Sequence, residues 1–161
     1  MRVVVQRVNY ARVRVARELV GQTGPGLLVL LGVARGDGPE DARRLASRVA
    51  HLRCFADATG RMNRSARELA RSALLVSQFT LVADPRKGRR PSFDPAAEPA
   101  LAERRCRLFV EELEASGVPA ASGRFGAYMQ VELENDGPVT FVLDAPEGGG
   151  ASLPPPTGSA S

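Results

Sequence analysis

Several residue types that carry chemistry or hold structures together are scarce in this chain. Its 161 residues contain no Trp, one His and two Cys, and aromatic residues make up 5% of the total. With so few aromatic rings, a platform on which single-stranded bases stack is not expected. Two cysteines are too few for a disulfide framework, so Cys54 and Cys106 are predicted to be reduced and buried.

The single histidine, His51, limits two kinds of catalytic site. It lies in a predicted helix with Cys54 three residues further on, so a metal site there would need Cys106 to complete it. Because there is no second histidine and no closely spaced cysteine pair, we predict no metal and no cofactor. A Ser-His-Asp triad needs its histidine at an accessible edge as the base, and His51 lies within a helix.

Long apolar runs are absent as well. No stretch approaches the roughly 20 apolar residues that span a bilayer, and residues 1–7 lack the apolar region of a signal peptide. We therefore expect a cytoplasmic protein without a membrane partner.

The composition is that of one globular domain, because hydrophobic residues make up 43% and charged residues 25% of the chain. Residues 1–146 are predicted to form one domain, and the Gly-, Ser- and Pro-rich residues 147–161 a disordered tail.

The charge balance is basic, with a net charge of +4 and a sequence pI of about 9.8. Such a balance permits a polyanionic partner such as RNA. Cations are concentrated in one Pro-bounded loop that contains Arg86, Lys87, Arg89 and Arg90. This loop is either a solvated surface or a contact for a phosphate backbone.

Strand-like segments occupy much of the first half of the chain. Alternating or continuous apolar residues predict four strands, at residues 1–8, 12–16, 27–33 and 72–82. The last of these carries the polar residues Ser77, Gln78 and Thr80. Polar side chains in an apolar strand are costly unless they are hydrogen-bonded or face a cleft. The pattern therefore fits either a sheet edge at which these side chains are hydrogen-bonded or a functional cleft.

Two helices are predicted from their ends and their apolar stripes. The first opens with Pro39 in its first turn and runs to about Phe55. The second starts with Asp94 as N-cap and Pro95 at its first position, and Gly117 closes it.

The chain's strongest turn signal is Asn135-Asp136-Gly137-Pro138, between apolar runs at residues 128–134 and 139–143. A hairpin turn is the simplest interpretation of this pattern. A cis bond before Pro138 is a second possibility, because tight turns are where cis bonds occur.

Three stretches, taken together, resemble the D-aminoacyl-tRNA deacylase family (also called D-tyrosyl-tRNA deacylases). They are Ser77-Gln78-Phe79-Thr80-Leu81, Lys87-Gly88-Arg89-Arg90-Pro91-Ser92-Phe93 and Asn135-Asp136-Gly137-Pro138-Val139-Thr140. The start of the chain and residues 123–127 extend the resemblance to nearly everything before residue 147. Tyr128 departs from it, because the family often has Asp there, and the long tail is a second departure.

The resemblance implies an α+β fold, with a mainly antiparallel, barrel-like curved sheet and two main helices, that forms a homodimer. It implies hydrolysis of D-aminoacyl-tRNA and of mischarged glycyl-tRNA, with tRNA and not DNA as the partner. A cis Gly137-Pro138 from one subunit would complete the chiral pocket of the other.

The chemistry implied by the resemblance is assisted by the tRNA itself. We expect backbone donors near Phe79 and Thr80 to stabilise the oxyanion. Gln78 and Ser77 would line the pocket, and Lys87, Arg89 and Arg90 would contact tRNA. Arg7 would brace the Gly-Pro loop or be an ordinary surface arginine. Two alternatives stay open: Thr80 or Ser77 as a protein nucleophile, and a non-catalytic tRNA-binding module.

Overall fold

The computed structural model describes residues 1–86 and 90–145. The predicted tail at residues 147–161 therefore lies outside the described residues. The elements are β1 (Arg2–Val15), β2 (Glu18–Thr23), β3 (Gly26–Gly32), α1 (Pro39–His51), β4 (Phe55–Ala56), β5 (Met62–Arg64), β6 (Ser72–Ser77), a 3₁₀ turn (Phe79–Val82), α2 (Pro99–Ala115), β7 (Ala120–Ser122) and β8 (Gln130–Asp144).

The two strands predicted at residues 1–8 and 12–16 are one long strand, β1. Its first half pairs with β3 and its second half with β2, both antiparallel. The alternation of apolar residues could not show this, because a curved strand can change neighbours along its length without interrupting the pattern.

The main sheet is mixed and strongly curved. Its order is β2-β1-β3-β6-β7, with β8 added on β1. The β3–β6 and β6–β7 pairs are parallel and the others antiparallel. The two edge strands β2 and β7 approach each other closely. At this contact a Cβ added to Gly21 of β2 would lie only 2.7 Å from the carbonyl oxygen of Ser122 in β7. The predicted barrel-like α+β fold with two main helices is confirmed, with more parallel pairing than expected.

The core lies on both faces of this sheet. The larger cluster packs β3 and the start of β1 against the two helices, and includes Leu27, Leu45, Phe109 and Leu113. The smaller cluster fills the concave face, around Val8, Val13 and Leu74. Residues 27–31 contribute to both clusters, as expected of a strand buried on both faces.

The first helix begins where the sequence predicts and ends earlier. Pro39 is at its first position and Asp41 accepts a hydrogen bond from the Gly38 N–H at 2.8 Å. The predicted apolar stripe is buried. The helix stops at His51 because the chain turns there to form the short β4–β5 hairpin.

The second helix begins at Pro99, so the start predicted at Asp94-Pro95 is wrong. Both prolines suit a first helical turn, and tertiary pairing decides between them. Residues 95–97 are held by residues 33–35, which directly follow β3: the Arg35 N–H donates to the Pro95 carbonyl at 2.8 Å and the Ala97 N–H to the Val33 carbonyl at 3.0 Å. Gly117, with a φ of 84°, ends the helix as predicted.

The hairpin predicted at residues 128–143 is wrong. Residues 130–134 of the first run and the whole of the second belong to one strand, β8, which pairs with β1 on both sides of residues 136–139. Gln6 pairs with Thr140 and Val8 with Asn135, so residues 136–139 bulge out opposite Arg7 alone. The turn residues make this bulge instead of reversing the chain.

Across residues 1–86 and 90–145, no helix combines the length and the apolar character needed to cross a membrane.

Candidate active site

A cleft of about 490 Å³ opens where β6 ends. Its floor is formed by the last residues of β6 and the first of the 3₁₀ turn, including Ser77, Gln78 and Phe79. One wall is the first half of α2, with Ala102 and Cys106, and the opposite wall is residues 125–131. Most of the lining is apolar, as is usual for a small-molecule pocket.

The floor of the cleft has this shape because β6 ends at Ser77, not at Val82 as predicted. The Gln78 N–H donates to the Leu31 carbonyl at 2.7 Å, and the chain then coils into the 3₁₀ turn. Gly32 permits the 3₁₀ turn to lie close to the end of β3, since a Cβ on residue 32 would lie 2.9 Å from Leu81 Cβ. Ser77 therefore forms the last pair with β3, and residues 78 and 79 leave the sheet and line the cleft mouth.

Two backbone donors are available at this mouth. Phe79 and Thr80 begin the 3₁₀ turn, so their N–H groups have no partner within it. Within the part of the chain that the structure describes, no acceptor bonds to either group. The Phe79 ring is 57% exposed and makes an edge contact with Phe93, with centroids 5.0 Å apart.

The polar side chains of the floor bond to each other. Gln78 Nε2 donates to Thr80 Oγ1 at 2.6 Å. The Thr80 hydroxyl therefore has an amide donor as its neighbour. Among the described residues, no base contacts the hydroxyl of Thr80 or of Ser77.

A second cavity of about 200 Å³ lies behind the first and shares Ser77, Cys106 and Phe125 with it. Burial, reinforced by the nearby Glu103 carboxylate, raises the pKa of the Cys106 thiol to about 12. This thiol is therefore neutral at physiological pH and contributes packing.

The Gly137-Pro138 peptide is cis and lies in the β8 bulge. Arg7 reaches this bulge from β1: its Nε donates to the Asp136 carbonyl at 2.9 Å, and its Nη1 donates to the Cys54 carbonyl at 2.6 Å. The far side is bridged by Asn135, whose Oδ1 accepts from the Val139 N–H at 2.9 Å. Asn135 was not anticipated as a bracing residue, although it lies within the motif.

The predicted site residues fall into two separate groups. Ser77, Gln78 and Phe79 line the cleft, with Thr80 beside them. Arg7, Gly137 and Pro138 lie at the other end of β3, because Val8 pairs with both Asn135 and Gly26. None of these last three lines either cavity.

The basic loop is described only in part. Arg90 is exposed, and Arg86 donates to the Asp84 carboxylate at 2.8 and 2.9 Å. Lys87 and Arg89 lie outside the described residues.

The residues considered for a metal site do not converge. His51 is exposed and bonds to Ser47 and Arg67, whereas both cysteines are buried. Within residues 1–86 and 90–145 there is no group of three or more metal-ligating side chains.

Solved structures with this architecture define the class. One, titled "c-Myc DNA Unwinding Element Binding Protein", is 38% identical, covers 91% of this chain and 99% of its own, and superposes with a TM-score of 0.85. A second, titled as a probable eukaryotic D-amino acid tRNA deacylase, superposes with a TM-score of 0.77 over 89% of this chain and 98% of its own, at 18% identity. The chain thus has a deacylase-type α+β fold.

Sequence comparison gives the family. The family model described as D-Tyr-tRNA(Tyr) deacylase matches residues 4–144. The D-aminoacyl-tRNA deacylase of Dehalococcoides mccartyi is 54% identical to this chain, over 90% of this chain and 95% of its own length. That of Syntrophotalea carbinolica is 55% identical, over 90% of this chain and 97% of its own length. The chain belongs to the D-aminoacyl-tRNA deacylase family, so it is an enzyme, a hydrolase of a carboxylic ester.

Proposed function

We propose that this protein hydrolyses the ester of D-aminoacyl-tRNA and of mischarged glycyl-tRNA and leaves L-aminoacyl-tRNA intact. The observation that carries the proposal is the pairing of two features within one family member. One is an apolar cleft with exposed backbone donors, and the other is a braced Gly-Pro bulge that its own cleft does not use.

Selectivity of this kind is best achieved by exclusion. Favourable contacts to a D side chain could supply only about 1–3 kcal/mol, whereas L-aminoacyl-tRNA is the abundant species. Rigid main-chain atoms placed where an L side chain would project create a clash. Glycine has no side chain to exclude, so the same obstacle lets glycyl-tRNA pass.

The bulge serves as this obstacle for a partner subunit. Bulge and cleft lie at opposite ends of β3, whose seven residues extend over about 20 Å. Gly137-Pro138 therefore cannot enter the cleft of its own chain, and a homodimer brings the two together. Large apolar side chains that a dimer would cover are exposed in the single chain, with Phe79, Val142 and Tyr128 at 57%, 59% and 89%.

The reaction needs few protein side chains. Water adds to the ester carbonyl carbon, the bond to the ribose oxygen breaks, that oxygen takes up one proton from the water, and the amino acid leaves with its carboxyl group free. The neighbouring ribose hydroxyl positions or activates this water. The N–H groups of Phe79 and Thr80 stabilise the oxyanion, and Gln78 and Ser77 hold the terminal nucleotide and the pocket wall. No cofactor takes part.

The wider setting follows from the same assignment. Aminoacyl-tRNA, and neither DNA nor a membrane, is the partner, and the enzyme acts in the cytoplasm. Lys87, Arg89 and Arg90 contact the tRNA backbone. Residues 1–146 form the single catalytic domain, so a chain that ends at residue 146 keeps full activity.

The test is release of D-tyrosine, glycine and L-tyrosine from the corresponding tRNAs by the purified protein. We expect turnover of the first two and stability of the third. Equal loss of D- and L-tyrosine would exclude the chiral obstacle. Salt-sensitive tRNA binding without turnover of any ester would identify a non-catalytic binding module instead.

A nucleophilic Thr80 or Ser77 would leave a different signature. Because neither hydroxyl contacts a base among the described residues, Thr80→Ala and Ser77→Ala should each keep turnover within about tenfold of the unmodified enzyme. Loss of more than about a thousandfold in either variant would favour the nucleophile. Replacing the terminal ribose hydroxyl by hydrogen should abolish turnover if the tRNA assists.

A further inference from the structure

A second concentration of positive charge lies outside the basic loop at residues 86–90. Residues 48–71 contain six arginines against Asp57 and Glu68, so this segment alone carries the net +4 of the whole protein. It comprises the end of α1, the β4–β5 hairpin and the turn before β6. Such a concentration is the electrostatic signature of a polyanion-binding surface.

The two carboxylates of this segment are occupied by local backbone donors. Asp57 Oδ1 accepts from the N–H groups of Thr59 and Arg61 at 2.8 and 3.1 Å. Glu68 Oε2 accepts from the Ser65 N–H at 2.7 Å. These bonds, with those from the hydroxyls of Thr59 and Ser65, lower the pKa values of both carboxyl groups. Both acids stabilise turns, and Glu68 also forms a longer ion pair with Arg64 of the same segment at 3.8 Å.

Of the segment's four exposed arginines, Arg48 donates to the Asp144 main-chain carbonyl at 2.8 Å, and the other three have neither a main-chain carbonyl nor a carboxylate as a close partner among the described residues. Within the described part of the chain, no acid lies within 4.0 Å of the guanidinium group of Arg53, Arg61 or Arg67. Arg53 donates to Asn63 at 3.2 Å and Arg67 contacts His51 Nε2 at 2.8 Å, so their orientation is set by groups other than carboxylates. We call Arg53, Arg61 and Arg67 the arginine surface.

The arginine surface is joined to the Gly137-Pro138 bulge by a short series of contacts. Arg7 donates to the Asp136 carbonyl, next to the bulge, and to the Cys54 carbonyl. Cys54 directly follows Arg53 and precedes β4, whose Phe55 pairs with Arg64 of β5. The surface and the bulge therefore lie at the same end of the molecule, away from the cleft of their own chain.

We propose that the arginine surface binds backbone phosphates of the aminoacyl-tRNA whose ester lies in the partner subunit's cleft. This inference rests on the proposed function, in which the bulge enters that cleft. Each subunit then contributes its bulge and its arginine surface to the same substrate. The ester end of the tRNA meets the chiral obstacle while the duplex behind it lies across the cations.

The first test compares substrates that have and lack a tRNA body. In Arg53→Gln/Arg61→Gln/Arg67→Gln, KM for D-tyrosyl-tRNA should rise about tenfold or more, with kcat unchanged. The logarithmic salt dependence of kcat/KM should become less steep by about 2–3. Turnover of 3′-O-D-tyrosyl-adenosine, which has no phosphate backbone, should not change.

The matched control removes the same charge elsewhere. Arg17, Arg44 and Arg104 are exposed and lie outside residues 48–71, between β1 and β2, in α1 and in α2 respectively. Arg17→Gln/Arg44→Gln/Arg104→Gln should leave KM within about twofold. An equal rise of KM in both triple variants would show that only net charge matters, and would overturn the proposal.

Heterodimers test whether the surface acts across subunits. Ala102→Trp fills the cleft of one chain with a large ring, so one cleft remains active. When Ala102→Trp and the arginine substitutions share a chain, the active cleft faces an altered partner, and KM should rise as in the homodimeric variant. When they are on different chains, KM should be normal. The reverse pattern, or equal values in both heterodimers, would overturn the proposal.

The same variants separate this inference from the proposed function. If the unmodified protein releases no D-tyrosine, the proposed function fails, and direct binding of deacylated tRNA still reports on the surface. Binding about tenfold weaker in the arginine variant alone would support the surface independently. Unchanged binding and unchanged KM would refute it, provided that melting temperatures show all variants to be folded.

Discussion

Replacing Arg7 separates the bracing of the Gly-Pro bulge from the stability of the fold. Its side chain is 14% exposed, and its guanidinium group donates to two main-chain carbonyls, at 2.6 and 2.9 Å. Hydrogen bonds from a charged donor contribute about 1.5–3 kcal/mol each. The added ion pair with the half-exposed Asp136 contributes little. Arg7→Ala should therefore lower the free energy of unfolding by about 3 kcal/mol.

The functional effect should exceed what stability explains. Without Arg7 the bulge loses its attachment to β1 and to the Cys54 carbonyl, so the chiral obstacle is no longer held in place. Small displacements of positioned groups can change rates by about a hundredfold. We expect the ratio of D- to L-tyrosyl-tRNA turnover to fall at least about tenfold, chiefly because the L ester is now hydrolysed. Arg7→Lys, which keeps the charge but lacks the rigid, planar guanidinium that spans the two carbonyls, should be intermediate.

Arg2 supplies the matched control. It joins the same two strands, with two hydrogen bonds to the Asp144 carboxylate at 2.7 and 3.1 Å, and is 17% exposed. Arg2 and Asp144 form the terminal residue pair of the two strands, outside the bulge. Arg2→Ala should cost about 1 kcal/mol and leave the D-to-L ratio unchanged. Normal discrimination in a folded Arg7→Ala protein, or equal loss in Arg2→Ala, would refute the bracing role.

Three further predictions concern other parts of the molecule. Asp37→Asn should lower the free energy of unfolding by about 3–5 kcal/mol in urea titrations, because it leaves the buried amino terminus, 2.6 Å away, without its counter-ion. Gly137→Ala should abolish deacylation, since a Cβ there would clash with the residue two positions on, whereas Gly60→Ala, at φ 81° in open space, should leave turnover unchanged. Burial raises the pKa of Cys54 to about 11 and that of Cys106 to about 12, both from 9.0. The unfolded thiols ionise first, so stability should fall as pH rises above about 9, by at most about 1.4 kcal/mol per thiol per pH unit. Replacing both cysteines by alanine should flatten this decline, and an unchanged slope would contradict the assignment.

Local sequence determined the elements whose ends and faces are encoded in a few neighbouring residues. The start of α1 at Pro39, its buried stripe, the end of α2 at Gly117 and the doubly buried β3 all follow from periodicity and from the stereochemistry of Pro and Gly. The motifs around residues 77–81 and 135–140 also sufficed for the family, which the comparisons confirm.

Tertiary structure decided which segments pair and where they end. Periodicity in Tyr128–Leu143 shows that strands are present but carries no information on their partner, and β1 was free to pair with both halves. The choice between Pro95 and Pro99 as the start of α2 depended on whether residues 95–97 could hydrogen-bond to residues 33–35, which follow β3. The separation of the cleft from the Gly137-Pro138 bulge likewise depends on the assembly of β1, β3 and β8. The two sites are built from residues far apart in the chain, and their distance is fixed only when these strands pair in one sheet.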